Sequence, residues 1–308
     1  MAYTLVEAAK LSNDVLQAGV IELLAKDDPI FDRLKFIEIL GNGLTYNVET
    51  SMPTAGFYGV GDIWNESTGT VTPATSVLKI LGGDVEVDNY LQKTRSNIND
   101  LTQEQLAAKA KAVRWEFMDS LIYGVSTGKG FDGLHSLLSS TTYNTVHAGA
   151  GTGTALSMVK LKEAIDMIKG DPQLIVSSKK VRRLVETYLE SLGAYKMAAD
   201  EFGRRLMWYR ELPWAACDFI VDTETAASGA YTAKTGNYNS SIFVLSFDTP
   251  KGLTGLHDAP PVVEPVTKNM ETKDAALHRM KWYVSVMLQS IITCSKVDGI
   301  LTTGAVTA

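Results

Sequence analysis

From Leu44 to Thr50 apolar and polar side chains alternate. Leu44, Tyr46 and Val48 fall on one side and Thr45, Asn47 and Glu49 on the other, the period-two pattern of a half-exposed strand. Residues 75–81 form a second strand-like run, and Val85-Glu86-Val87-Asp88 a third. Between the first two lies an excursion, residues 51–74, rich in Gly, Pro and Thr, with Phe57, Tyr58 and Trp64 as its aromatics. Compact domains rarely keep an excursion of that length without using it.

Helical spacing appears first in residues 3–26, with a possible cap at Ser12 and a stop at Asp28-Pro29, which predicts one or two short helices on an N-terminal arm. A longer helix is expected up to about Tyr123. Asn99-Asp100-Leu101-Thr102 offers several caps, and Thr102 with Gln105 has capping-box spacing. Its apolar stripe is Leu106, Ala110, Val113, Phe117 and Leu121. At 1.5 Å per residue the helix is roughly 33 Å long, and Gly124, Gly128 and Gly130 end it.

Phe131-Asp132-Gly133-Leu134 opens a loop region that runs through residue 154. A helix (157–169), a strand (173–176) and a helix (179–192) follow, then strands at 208–222, interrupted at Pro213, and at 241–247. Pro260, Pro261 and Pro265 break the chain before a long alternation. There Met280, Trp282, Val284 and Val286 face one side and Arg279, Lys281, Tyr283 and Ser285 the other, a half-buried antiparallel strand. Residues 291–300 complete the core. The class is α+β, and no G-x-G-x-x-G follows a strand, so a dinucleotide fold is not indicated.

Composition changes this picture little. The 308 residues are 45% hydrophobic and 21% charged, the range of folded soluble proteins. The net charge of −6 disfavours a tight nucleic-acid reader. Cys217 and Cys294 lie far apart with no metal or redox spacing, so two reduced, buried thiols and a cytoplasmic origin are expected. Glu7, Lys10 and Asp14 interrupt any signal-peptide core. No stretch approaches the roughly 20 apolar residues of a membrane helix.

Candidate chemistry is sparse. His135, His147, His257 and His278 show no paired metal spacing. His278 is expected on a sheet face and the other three on surface loops. No G-x-S-x-G elbow occurs, and neither cysteine has an indicated histidine partner. The stretch from Gly124 to Gly130 fails as a phosphate loop, because Lys129 precedes a glycine and the glycines leave a helix instead of entering one. Carboxylate pairs such as Asp27 and Asp28 read as turn residues. Lys179, Lys180, Arg182 and Arg183 have two readings: the charged face of an amphipathic helix backed by Val181, Leu184, Val185 and Leu189, or a contact with an acidic neighbouring subunit. Tyr58 and Trp64 likewise either fold back on their own chain or anchor a neighbour.

Taken in order, these segments resemble the major capsid proteins of tailed phages, the Hong Kong phage or Johnson fold shared with encapsulins. Gly130-Phe131-Asp132-Gly133-Leu134 and Leu277-His278-Arg279-Met280-Lys281-Trp282-Tyr283 resemble phrases common in that family. The resemblance implies an N-terminal arm (1–43), an extended β-hairpin loop (44–82) and a peripheral domain with a long spine helix (83–129). An axial α/β domain (130–255) and a return to the peripheral domain with a C-terminal segment in the core (256–308) complete the layout. It implies a self-assembling icosahedral head around double-stranded DNA, located in the virion and assembled in the host bacterial cytoplasm, with no catalytic, metal or cofactor site. The partners it implies are other copies of the chain in hexamers and pentamers, a separate scaffolding protein, a portal, and DNA held weakly without sequence specificity; no membrane is involved.

Some relatives weld subunits through a lysine on the extended loop. Residues 58–71 contain none, so no covalent crosslink is expected. Two other readings stand beside the capsid: an encapsulin-type compartment, and an α/β enzyme whose 44–82 excursion is a lid over a pocket of convergent polar groups.

Overall fold

The computed structural model describes residues 28–95, 100–193, 197–199, 205–249, 251–267 and 273–307. The helices expected within residues 3–26 lie outside the described residues. Along the chain come β1 (Phe36–Glu38), the paired strands β2 (Gly43–Ser51) and β3 (Thr70–Val77), β4 (Lys79–Asp88), α1 (Asn89–Arg95) and α2 (Leu101–Tyr123). Next are α3 (Leu134–Leu137), β5 (Thr145–His147), α4 (Met158–Asp166), β6 (Leu174–Ser177) and α5 (Lys179–Ser191). Then come β7 (Met197–Ala199), β8 (Arg205–Tyr209), β9 (Leu212–Ala216), β10 (Thr225–Ala227) and β11 (Ala230–Ala233). β12 (Asn239–Leu245), β13 (Leu253–His257), β14 (Val262–Thr267), β15 (Ala275–Leu288) and β16 (Ser295–Leu301) finish the chain.

Two larger sheets share one core. β15 is the axis of a five-stranded sheet. β4 runs antiparallel along one edge, from Ala275↔Asp88 to Val284↔Lys79, and β13 and β14 share the other. The alternation read around Trp282 holds on one side, where Met280, Trp282, Val284 and Val286 are buried; on the other Arg279 and Tyr283 are exposed and Lys281 half-buried, but Ser285 is buried, 3.1 Å from the Ser76 hydroxyl. Their buried face meets Val113, Phe117, Met118, Leu121 and Ile122 of α2. Phe117 and Trp282 lie 5.0 Å apart between ring centroids, and Phe36 of β1 packs 5.9 and 5.6 Å from them.

The seven-stranded sheet has the order β5-β16-β12-β6-β9-β8-β7. From Ile242 to Leu245 β12 is apolar on both faces because both are covered. Phe243 and Leu245 join the core of α2 and β15, while Ile242 and Val244 join a second core with Leu161 of α4 and Val181, Val185 and Leu189 of α5. Ser157 and Ser178 cap α4 and α5 through their side-chain oxygens.

Several expectations need correction. The run at 75–81 is not one strand: the hairpin pairing ends at Val77, and Lys79 begins β4, which pairs with β15 instead. The break expected at Pro213 lies at Arg210-Glu211, whose positive φ of 49° and 69° suits a two-residue hairpin turn. Pro213 sits in β9 before its parallel pairing to β6 begins at Trp214, where its missing N–H is harmless. Residues 217–222 form no strand. Pro265 lies within β14, a sheet edge with a register shift beside it, which tolerates the missing donor. The loop region after Phe131 contains α3 and β5. In α2 the stripe is buried only in its C-terminal half. Ala110 is exposed and Leu106 half-buried, because that end meets only the edge strand β4 and the short helix α1, through Val85, Val87 and Leu91.

Candidate assembly interface

The β2–β3 hairpin is rooted in the body and free at its tip. At the root, Leu44, Tyr46 and Leu78 pack on Ile39, Leu256 and Met287. The Tyr46 hydroxyl donates to the Leu288 carbonyl at 3.2 Å, and that of Ser76 to the Val286 carbonyl at 3.2 Å. Beyond the root the ribbon has no core of its own, and cross-strand hydroxyl pairs hold it: Thr45 with Thr75 (2.9 Å), Thr50 with Thr72 (2.9 Å) and Ser51 with Thr70 (2.7 Å). The Ser67 hydroxyl closes the loop, donating to the Thr54 carbonyl and accepting from its N–H, both at 2.9 Å.

At the tip, Tyr58 and Trp64 stack with ring centroids 4.3 Å apart and planes 22° from parallel. The sequence offered two fates for this pair, and the rings do fold back on their own loop. That contact leaves Trp64 76% exposed, with Phe57 and Val60 fully exposed and Met52 and Ile63 nearly so. An apolar cluster of this kind on a two-stranded ribbon has no core of its own to join, and it makes the tip the candidate contact surface. The hairpin carries Glu49, Asp62 and Glu66 but no Lys, Arg or His between Gly43 and Leu78.

Asp100, not Thr102, caps α2, accepting from the Thr102 N–H at 2.9 Å and the Gln103 N–H at 3.4 Å. At the other end the glycines form a helix exit. Gly124 N–H donates to the Ser120 carbonyl (2.8 Å), and Gly133 N–H returns to the Gly124 carbonyl (2.9 Å). A Cβ on Gly133 would come within 2.6 Å of the Ser120 carbonyl oxygen. The phrase from Gly130 to Leu134 therefore has a packing reason: Phe131 and Leu134 enter the core, while Asp132 accepts from Ser126 N–H and the Ser136 hydroxyl, both at 2.9 Å.

The basic run lies on α5, on the seven-stranded sheet and not on the hairpin. Lys179 pairs with Asp218 at 2.7 Å, and Lys180 Nζ donates to the Thr302 hydroxyl at 3.2 Å. Among the described residues Arg182 and Arg183 have no ion-pair partner; Arg183 is exposed and Arg182 half-buried. Val181, Val185 and Leu189 are buried beneath them, with Leu184 half-buried.

One constellation had no signal in the sequence. His135, expected on a loop surface, is buried in α3 between the rings of Tyr123 and Tyr231, at 5.3 and 3.8 Å. Its Nε2 lies 3.4 Å from Glu224 Oε1, and neither ring nitrogen has a hydrogen bond. Glu224 is also buried and accepts from the Tyr123 and Ser241 hydroxyls, both at 2.6 Å. Nearby, buried Lys296 pairs with Asp298 at 3.3 Å, and His147 Nδ1 meets Asp298 at 2.5 Å. Burial pushes His135 below the usual imidazole range, outweighing Glu224, and likewise pushes Lys296 down. Burial and the Glu224 charge push Tyr123 far up. The partners stand up to 161 residues apart in sequence, so no spacing rule finds them. Buried at His135, Glu224, Lys296 and Asp298, the cluster joins the exit of α2 to the seven-stranded sheet. His147 on β5 and His257 at the end of β13 are half-buried, also not on loop surfaces, and His278 is half-buried on β15 as expected.

No protein-family model and no curated protein sequence matches the chain. Solved structures do. The SrpI encapsulin of Synechococcus elongatus PCC 7942, in its holo complex, superposes with a TM-score of 0.74 at 16% identity, over 100% of this chain and 99% of that one. The capsid of a native GTA particle follows the chain at 0.69 and 12% identity, over 96% and 97%. A structure from Mycobacterium phage Bobi does so at 0.62 and 12%, over 96% and 98%. The chain has the tailed-phage capsid fold. Within the capsid fold the match is end to end, so the exposed hairpin, the long helix and both sheets belong to one architecture. At 12–16% identity what is shared is layout.

Proposed function

We propose that this chain is the major capsid protein of a tailed phage, building an icosahedral head by contacts between its own copies. The observation that carries the reading is the hairpin: an apolar tip held out from the body on a hydroxyl-laced ribbon, in a chain whose fold matches shell proteins over their full length. In this reading the five-stranded sheet with α2 is the peripheral domain and the seven-stranded sheet the axial one. The hairpin lies over an adjacent subunit, with Tyr58 and Trp64 in the contact, and Lys179, Lys180, Arg182 and Arg183 face a neighbour across the axial domain. Repeated heterologous contacts of this kind close into hexamers and pentamers. A separate scaffolding protein and a portal complete the head, which encloses DNA without sequence-specific contacts and is assembled in the host cytoplasm. No step requires catalysis, and the lysine-free tip leaves the contacts noncovalent. Deleting residues 55–70 leaves a soluble monomer; intact particles from that variant contradict the reading.

An encapsulin-type compartment is the second reading, favoured by the superposition on the SrpI encapsulin at 0.74. The contents of purified particles separate the two: nuclease-protected DNA and head proteins for the phage, a copurifying enzyme cargo for the compartment.

A further inference from the structure

The hairpin meets the body through two unlike connections. On one side β3 runs through Leu78 into β4 without a loop, and Leu78 is packed in the root. On the other, Leu40, Gly41 and Asn42 bridge to the start of β2 from Ile39, which is buried and bonded through its N–H to the His257 carbonyl at 2.9 Å. This bend is open. Leu40 is 94% exposed, Asn42 is exposed, and Gly41, at a φ of 121°, has nothing beyond its chain neighbours within 4 Å of where a Cβ would stand. Asn42 precedes Gly43 in the one Asn-Gly step of the chain. Packing demands that glycine, because a Cβ there would lie 2.5 Å from the Ser76 carbonyl oxygen.

An asparagine before a glycine holds an electrophile, its side-chain Cγ, within reach of a nucleophile, the next backbone nitrogen, with no glycine side chain to keep them apart. Both are at liberty here. The Asn42 side-chain amide has no hydrogen-bond partner among the described residues. Gly43 stands opposite Val77, and the ladder bond beside that pair runs from the Leu78 N–H to the Asn42 carbonyl at 2.9 Å. Gly43 therefore occupies a non-hydrogen-bonded position, and its N–H is not spent on β3. The two Asp-Gly steps that could react in the same way are held. Asp132 accepts from Ser126 and Ser136 while the Gly133 N–H donates to the Gly124 carbonyl. Asp298 is buried between His147, Lys296 and the Tyr231 N–H.

We propose that Asn42 is a self-modifying site, converting in the folded chain to an isoaspartyl link in the bend that carries the hairpin. The Gly43 nitrogen gives up its proton to solvent base and bonds to Asn42 Cγ. The side-chain nitrogen leaves as ammonia, taking a proton back, and a cyclic succinimide closes. Water then adds to one of the two ring carbonyls and opens the ring, to aspartate or, where the bond from the main-chain carbonyl to the Gly43 nitrogen breaks, to isoaspartate. The balance is one water in and one ammonia out, with no enzyme or cofactor. In the isoaspartyl product the main chain runs through Cβ and Cγ and is one atom longer, and the carbonyl that accepted from Leu78 becomes a carboxylate outside the main chain. The bend must absorb that atom between two fixed ends, Ile39 and Leu44, which weakens the pairing of β2 with β3 at the root. Either product also adds a negative charge to a hairpin that has no cation.

The test uses the full chain, folded and held at pH 8, with a parallel sample unfolded in guanidinium chloride. Trypsin releases residues 36–79 as one peptide. Fragmentation of that peptide should show Asn42 gaining about 1 Da at a rate close to that of the unfolded chain, while Asn47 and Asn65 stay unchanged. Isoaspartate at Asp132 and Asp298 is read by methyl transfer from an isoaspartate-specific carboxyl methyltransferase to the separated peptides. It should form at least about tenfold more slowly in the folded chain than in the unfolded one. An Asn42 that keeps its amide in the folded chain while the unfolded chain loses it, or a folded Asp132 or Asp298 that converts as fast as Asn42, overturns the proposal. The effect on the root is read on the same aged sample. Amide exchange over β2 and β3 should quicken in step with the isoaspartate content. Fresh Asn42→Asp, which adds the charge without the extra atom, and aged Asn42→Ser should both exchange like fresh wild type. Equal exchange in aged and fresh wild type refutes the weakened root. The reaction takes nothing from the shell reading: a chain that forms no particle leaves it standing, and particles whose Asn42 stays intact remove it alone.

Discussion

Acid should weaken this fold through His135, and the structure sets the sign and size of the effect. In the folded chain the imidazole is stacked between two tyrosines with no hydrogen bond to either nitrogen, and burial holds its pKa below the ordinary value of 6.5. Glu224 at 3.4 Å and Asp298 pull the other way, Lys296 pushes with the burial, and burial prevails. Above pH 6.5 the ring is neutral in both states and contributes no slope. Below it the unfolded chain takes up a proton that the folded chain resists, so stability falls until the folded pKa is reached. The loss is about 1.4 kcal/mol per pH unit inside that window, a large share of a stability of roughly 5–15 kcal/mol. His135→Phe keeps the ring stack and leaves Glu224 its two hydroxyl donors, so it should remove this slope while changing stability little at pH 7.5. Urea unfolding of the dissociated chain, followed by tryptophan fluorescence from pH 7.5 to 5, measures the difference between the two proteins. Parallel stability curves for wild type and H135F would refute the argument.

Other consequences are simpler. Phe117→Ala empties the contact between α2 and Trp282 and should cost about 3–5 kcal/mol in urea unfolding. Asp100→Ala removes the cap of α2 and should cost about 1 kcal/mol in the same assay. Burial pushes the Cys217 thiol up to about 12 and the Cys294 thiol up to about 11, so neither should react with a thiol reagent at pH 8 until the chain is unfolded in urea.

What could be read from the sequence was whatever follows from local periodicity. The α2 helix, the alternation around Trp282, and α4, β6 and α5 in series all show in spacing, because each buries one face or stripe against a single layer. The chain breaks were harder. Pro213 and Pro265 read as interruptions in the sequence, yet a strand's entry and a sheet edge both tolerate a missing N–H, and the actual turn lies at Arg210-Glu211. The run 75–81 was divided by tertiary pairing: β3 finds β2 and β4 finds β15, a choice no local pattern records. The His135–Glu224 cluster was invisible for the same reason, since segments far apart in the chain supply it. On the hairpin, Tyr58 and Trp64 were legible as residues without a core to join.

The central claim is that this chain builds a closed shell. Negative-stain electron microscopy of the purified full-length protein tests it most directly. The account predicts uniform icosahedral particles, lost on deletion of residues 55–70; a monodisperse monomer or dimer from the intact chain, under conditions where it is folded, would contradict it.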